Sequence, residues 1–282
     1  MSNELQDEYQ GNEKDLIEKL KKEHEVKQLS DYKFPTEIID LPSKGLIYSE
    51  DNPLSSGQIE MKYMTAKEED ILTTQSYIKD GTVLDRLFQS LIIGNGKGDV
   101  IKYVDLVTGD KNAIMIAARI LGYGKDYEVE IDDPSMPGTK QKDTIDLTQF
   151  ESQEYDGSGQ TELHKNEYRF ELPQSKRTIT FRALTESIER KIKHQLEAQK
   201  KQSKRMKDAT SKELTTRLKN TILSIDEDTS QESINHFVDN ELFAADSRAL
   251  RMHIKTVVPD VDLNYEFISE ETGERRDMLL PM

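Results

Sequence analysis

The sequence predicts an α+β fold of two tandem similar halves, each with a β-hairpin, about three helices and a small terminal β-ribbon. Three observations predict it. Short segments alternate apolar and polar residues with the period of a half-buried strand, as Ile59, Met61 and Tyr63 do within 57–64. Longer segments space their apolar residues three and four apart, as one face of a helix requires. Several short motifs also recur in the same order along 282 residues, a length that suggests about two domains.

Composition narrows the function classes. The 39 Lys+Arg against 54 Asp+Glu give a net charge of −15, and apolar residues make up 34%, below the usual share of about 45–50%. Such a chain is expected to have thin cores and much solvated or partner-facing surface. Zero cysteines exclude disulfides, thiolate catalysis, iron–sulfur clusters and cysteine-ligated zinc. The richest apolar stretch, Ala113–Leu121, falls far short of the about 20 residues a spanning helix needs. Glu4, Asp7 and Glu8 do not fit the basic-then-apolar pattern of a secretory signal. The expectation is an intracellular, soluble, acidic protein.

Residues 1–33 read as a charged arm, partly helical or disordered. Leu16, Ile17, Leu20, Val26 and Leu29 form a narrow stripe that suits an amphipathic helix, a segment ordering on a partner, or a frayed solvated arm. The first α+β half spans 34–150. A strand over 57–64 leads to a helix starting at Thr65, where Glu68 completes a capping-box pattern. A second helix, Thr82–Ile93, places Val83, Leu84, Leu87, Phe88, Leu91 and Ile92 on one face. A third runs from about Asp110 to Leu121 and stops at Gly122, a residue suited to a left-handed cap. Tyr127, Val129 and Ile131 then alternate as a strand, and Ile145 with Leu147 marks another.

Residues 151–166, almost free of large aliphatics and carrying Gly157 and Gly159, read as a linker. The second half, 167–282, opens with strands Tyr168–Leu172 and Thr178–Ala183 joined by a Pro173–Lys176 turn. From Leu184 to about Val257 the periodicity is mainly helical.

The halves match motif by motif. Leu41-Pro42-Ser43-Lys44-Gly45 has its counterpart in Leu172-Pro173-Gln174-Ser175-Lys176, and Met64-Thr65 with Glu68 in Leu184-Thr185 with Glu189. Arg86-Leu87 before Leu91-Ile92 matches Arg217-Leu218 before Ile222-Leu223, and Asp110 with Ile114 matches Asp246 with Leu250. Tyr127-Glu128 matches Tyr265-Glu266, and Gly138 with Ile145 resembles Gly273 with Leu279. Thr185 and Arg217 lie further apart than Thr65 and Arg86 by about three helical turns. The second half is therefore expected to carry a lengthened first helix, and the first half the longer hairpin loop, Leu46–Ser56.

That lengthened helix reverses the charge balance. Residues 182–219 hold twelve basic and five acidic side chains, a net of +7 that leaves −22 for the rest. Arg190, Lys191, Lys193, Lys200, Lys201, Lys204, Arg205 and Lys207 are the candidate partner contacts. A solvated helix balancing its own charge accounts for the same pattern. Nucleic acid is the weaker partner choice, because the acidic remainder repels it and no aromatic residues are interleaved for stacking.

Other candidates point away from chemistry. Gly94-Asn95-Gly96-Lys97-Gly98-Asp99 follows a helix and lacks Ser or Thr after Lys97, so it reads as a flexible interhelical loop and not a phosphate loop. His24, His164, His194, His236 and His253 are scattered without metal-ligand spacing. Asp226-Glu227-Asp228-Thr229-Ser230 begins like a calcium loop but lacks glycine at position six and glutamate at twelve. No catalytic, cofactor or metal residue is assigned, and the chain is expected not to be an enzyme, to use no cofactor and to act on no small-molecule substrate.

Leu41–Gly45, the Met64-Thr65…Glu68 helix start, Ala118–Tyr127 (ARILGYGKDY), Asp246–Arg251 (DSRALR) and Pro259–Leu263 (PDVDL) together resemble the baseplate hub and hub-assembly proteins of T-even-like contractile-tailed bacteriophages. The resemblance spans roughly Phe34 to the C-terminus. It implies zinc-ribbon-like knuckles after the Tyr127 and Tyr265 strands, where many relatives place paired cysteines. Here those places read Asp132–Gly138 (DDPSMPG) and Ser269–Gly273 (SEETG), so the ribbons lack metal ligands and must stand on hairpin hydrogen bonds and packing. Both are expected to dock against another subunit. The resemblance further implies a late structural or assembly protein of the tail baseplate hub. It would be made in the host cytoplasm, become part of the virion, and have other baseplate and hub proteins as partners. Two alternatives stay open: a transient hub-assembly chaperone absent from the virion, and a nucleic-acid-associated protein acting through 182–219.

Overall fold

The computed structural model describes residues 35–136, 138–203 and 212–281. The charged arm expected over 1–33 lies outside the described residues.

Strand β1 (Thr36–Asp40) runs into the Leu41–Gly45 turn. Lys44 and Gly45 adopt φ of 50° and 78° there, and the Lys44 N–H donates to the Leu41 carbonyl at 2.8 Å. A Cβ on Gly45 would lie 2.3 Å from the Ser55 carbonyl oxygen, so both φ and space demand glycine. The long loop returns through a 3-10 turn at Pro53–Ser56 to β2 (Gln58–Lys62).

Helix α1 (Ala66–Thr73) starts as its capping pattern predicts. The Glu68 carboxylate accepts the Thr65 backbone N–H at 3.0 Å and the Thr65 hydroxyl at 2.6 Å. It also accepts from the Ser90 hydroxyl and from Lys62 Nζ, which explains how a fully buried glutamate is tolerated. After α2 (Gln75–Lys79), α3 (Val83–Leu91) buries Leu87, Phe88 and Leu91. Two expectations are corrected here. Leu84 is exposed, and the helix stops at Leu91, because Ile92–Gly94 becomes β3 and pairs antiparallel with β2, Met61 opposite Ile92. The sheet order is β1-β2-β3.

Helix α4 (Thr108–Tyr123) overruns its expected stop. Gly122 lies inside it, against Met64, where a Cβ would come within 2.6 Å of the sulfur. The positive-φ residue that follows the helix is Gly124, at 87°. Strands β4 (Asp126–Asp132) and β5 (Lys140–Asp146) then form the first two-stranded ribbon.

Beyond residue 166, β6 (Tyr168–Glu171) and β7 (Thr178–Phe181) form the expected hairpin. Helix α5 (Glu186–Ser203) has 18 residues against eight in α1, the extra length that the motif spacing requires. Helix α6 (Glu213–Thr221) passes directly into β8 (Ile222–Ile225), which pairs with β7. The mainly helical reading of 184–257 is corrected at this strand. Helix α7 (Gln231–His236), a π turn at Phe237–Glu241 and α8 (Ala244–Val257) precede the second ribbon, β9 (Asn264–Ile268) and β10 (Arg275–Leu279).

The larger apolar cluster draws on both parts of the chain, joining Leu54, Ile59, Leu91 and Ile114 to Tyr168, Ile179, Phe181 and Leu250. Each such side chain, fully buried, contributes about 1.5–3 kcal/mol. A second cluster packs both ribbons together through Ile131, Ile145, Tyr265 and Phe267 against Ile116 of α4. Residues 37–282 form one unit. The stretch 151–166, read as a linker, runs along this unit. Tyr155 is buried with its hydroxyl 2.8 Å from that of Tyr168, and the His164 N–H donates to the Leu46 carbonyl at 2.9 Å. No helix among the described residues is long and apolar enough to cross a membrane.

Candidate functional site

The basic helix is held by its first two turns. The Glu186 N–H donates to the Leu106 carbonyl at 2.9 Å, and the Thr108 N–H to the Leu184 carbonyl at 3.0 Å. The Glu186 side chain, buried, pairs with Lys111 of α4 and with Arg190 at 2.7 Å. Asp85 of α3 completes the cluster, 3.6 Å from Lys111 and 3.7 Å from Arg190, and accepts the Tyr103 hydroxyl at 2.8 Å. Burial, reinforced by Asp85 and Glu186, pushes the Tyr103 phenol far up, so it acts as a fixed donor.

Further along, Lys193 Nζ donates to the Asp80 carbonyl at 2.7 Å and lies 3.4 Å from that of Gly81. The side of α5 facing α6 is held by Glu189 with Arg217 at 2.8 Å and by Asn220 Nδ2 donating to Gln195 at 2.9 Å. Glu189 is thus spent on Arg217 and does not reach back to Thr185 as Glu68 does to Thr65.

The structure therefore divides the expected contact residues. Arg190 and Lys193 are engaged inside the unit. Lys191, Lys200 and Lys201 lie on exposed positions of α5, while Lys204, Arg205 and Lys207 lie outside the described residues. Between α5 and the corner joining α2 to α3 runs a groove of about 810 Å³, lined by Asp80, Asp85, Arg86, Arg190, Lys193 and His194 among others. Its walls carry both signs of charge. Asp85, Tyr103 and Lys111 escaped the sequence reading, because their partners lie between 18 and 105 positions away and no local spacing signals them.

The two ribbon turns form the second candidate surface. The Ser269 hydroxyl donates to the Asp133 carboxylate at 2.6 Å, and both residues are buried. The Ser135 N–H donates to the other Asp133 oxygen at 2.7 Å. Gln141 clasps the neighbouring turn from both sides, donating to the Ile268 carbonyl at 3.0 Å and accepting from the Glu270 N–H at 2.9 Å. At the opposite end the Tyr127 hydroxyl donates to the Pro281 carbonyl at 2.9 Å. The segments expected to dock against another subunit are docked against each other.

The remaining sequence candidates are turns and caps. The glycine-rich segment 94–99 follows strand β3, which corrects its reading as an interhelical loop. Asn95 accepts the N–H groups of Lys97 and Asp99 at 3.0 and 3.1 Å. Asp226 accepts the Thr178 N–H and pairs with Arg177 at 2.7 Å, and Asp228 accepts the Ser233 hydroxyl at the start of α7. His253 is stacked on Phe170 at 4.3 Å, and burial lowers its pKa. His164 lies 3.0 Å from the Tyr48 carbonyl, and His236 pairs with Glu241.

Comparison with known proteins yields a family and nothing finer. No curated protein and no solved structure matches the chain. The model of the family described as T4 bacteriophage base plate protein matches residues 40–280. That span runs from the end of β1 through the second ribbon and takes in every element described above except the first residues of β1. The chain belongs to the T4 bacteriophage base plate protein family.

Proposed function

We propose that this protein is a structural or assembly component of the baseplate hub of a contractile-tailed bacteriophage. It works through protein–protein contacts and carries out no reaction. The observation that carries this reading is the family match over 40–280, nearly the whole described fold. The two series of elements support the tandem-half reading within it. In each, a hairpin turn is held by a helix carboxylate, Asp110 or Asp246, and a helix passes straight into the third sheet strand, at Ile92 or Ile222. The acidic body keeps the protein soluble before assembly. Lys191, Lys200 and Lys201 on α5 present a complementary charge to neighbouring baseplate proteins in the virion.

Quantitative mass spectrometry of purified virions beside infected-cell lysate tests this. A fixed ratio of its peptides to known baseplate proteins identifies a hub component. Abundance in lysate with absence from particles identifies an assembly chaperone. Absence from every tail intermediate overturns the reading. The nucleic-acid alternative rests on the +7 of residues 182–219. Binding to DNA with a steep inverse salt dependence would favour it.

A further inference from the structure

Helix α8 is anchored on one side and bare on the other. Inward, Asp246 accepts the Gln174 and Ser175 N–H groups at 2.7 and 2.9 Å, Leu250 is fully buried, and His253 stacks on Phe170. Outward stand Arg248, Arg251, Met252 and Lys255, spaced three, four and seven residues apart and all exposed. Met252 is 60% exposed. The helix holds a single carboxylate, Asp246, which is buried in its turn.

Among the described residues none of these three cations forms an ion pair. Arg251 donates only to the Ser247 carbonyl, at 3.3 Å. Other basic side chains of the same fold, such as Arg177, Arg217 and Lys219, meet carboxylates within 2.8 Å. A chain of net charge −15 thus leaves three cations together on one helix face, where they repel one another.

Helix α4 shows how a comparable face is covered. Its Asp110 holds the turn after β1 as Asp246 holds the turn after β6. Two residues beyond Asp110, Asn112 Nδ2 donates to the Asp260 carboxylate at 2.8 Å, and Gly109 admits the backbone of Pro259. The cover is an extended segment that brings a carboxylate and the apolar Val261. Two residues beyond Asp246, the amide of Asn112 is replaced by the cation of Arg248.

We infer that the outward face of α8 is the docking site for an extended acidic segment of another protein. Its carboxylates pair with Arg248, Arg251 and Lys255, and an apolar residue covers Met252. This deepens the protein-contact reading above by naming a surface and the chemistry of its partner. A different chain is the occupant because, for all its net charge of −15, this chain brings none of its described carboxylates within ion-pair distance of this face.

The test replaces Met252 in the full chain, during infection, with a photo-cross-linking phenylalanine derivative, and uses the still more exposed Val100 as control position. The expected product joins position 252 to an Asp/Glu-rich stretch of a different protein. The triple variant R248E/R251E/K255E, checked for an unchanged melting temperature, lowers that yield at least about tenfold, as three lost charge pairs require. Should the triple variant unfold, Arg248→Gln with Lys255→Gln provides the same comparison. A cross-link to a second copy of this chain, to a stretch without acidic residues, or with a yield indifferent to charge reversal overturns the inference, as does no product above the Val100 control. An acidic partner foreign to the baseplate would leave the inference standing and overturn the hub reading. Baseplate stoichiometry without a cross-link would do the reverse.

Discussion

The Asp110 carboxylate accepts the Ser43 backbone N–H at 3.0 Å and the Ser43 hydroxyl at 2.8 Å, bridging 67 residues. The Tyr48 hydroxyl donates to the same carboxylate at 2.5 Å, and all three side chains are buried. Replacing Asp110 by Ala strands three buried donors at about 1–3 kcal/mol each. Asp110→Ala is expected to lower the urea midpoint more than any single exposed substitution. Asp246→Ala, which strands two backbone N–H groups, should follow it.

The same carboxylate sets a pH dependence. Burial pushes Asp110 up to about 6 despite the hydrogen bonds from Tyr48 and Ser43. A folded-state pKa above the unfolded value gives stability that is complete below about pH 4 and is lost as pH rises through about 6. The stability of the native protein relative to Asp110→Asn should therefore fall between pH 4 and 7 in urea titrations. A flat difference would show the carboxylate to be ionised throughout.

Glu68 has the opposite sign. Burial raises its pKa, but hydrogen bonds from Lys62, Ser90 and Thr65 outweigh it and bring it down to about 2. Its contribution, about 3 kcal/mol, is present above the ordinary glutamate pKa and is lost as pH falls toward 2. Glu68→Gln should destabilise the protein at pH 7, with the gap closing on acidification.

Much of this was legible in the sequence, and what was not has a physical reason. The Thr65–Glu68 start, both hairpin turns and the strand alternation of Tyr127, Val129 and Ile131 are local patterns, and local patterns survive folding. Strands β3 and β8 were hidden because Leu91-Ile92-Ile93 and Thr221-Ile222-Leu223 continue a helical apolar face without a breaker. Only the empty edge of a sheet formed elsewhere turns those residues extended. Ionic clusters gave no signal either. Arg190 and Lys193 read as surface charge until Asp85 and the Asp80 carbonyl are brought beside them.

Breaking the cluster at Glu186 should free the basic helix. Glu186→Ala takes the buried partner from Lys111 and Arg190, which keep only Asp85 at 3.6 and 3.7 Å, at about 1–3 kcal/mol. Hydrogen exchange should accelerate over 187–203 well before the β-sheets respond. Uniform acceleration across the chain would mean that α5 does not open by itself.

The seam between 259–261 and α4 is tight enough to test with one methyl group. A Cβ at Gly109 would meet the Pro259 carbonyl oxygen at 1.9 Å, so Gly109→Ala must push that segment away, at about 1–3 kcal/mol or more. Proteolysis near 258–263 should speed up, and an unchanged rate would show that the segment gives way without leaving α4.

That seam also dictates an order of events on the ribosome. The faces of α4 and of the first ribbon are finished by Pro259, Asp260, Phe267 and Pro281, residues made more than a hundred positions after the elements they cover. A nascent chain stopped near residue 150 therefore shows Ile116, Ile131 and Ile145 to solvent, and this face closes only once residues 259–281 have been made.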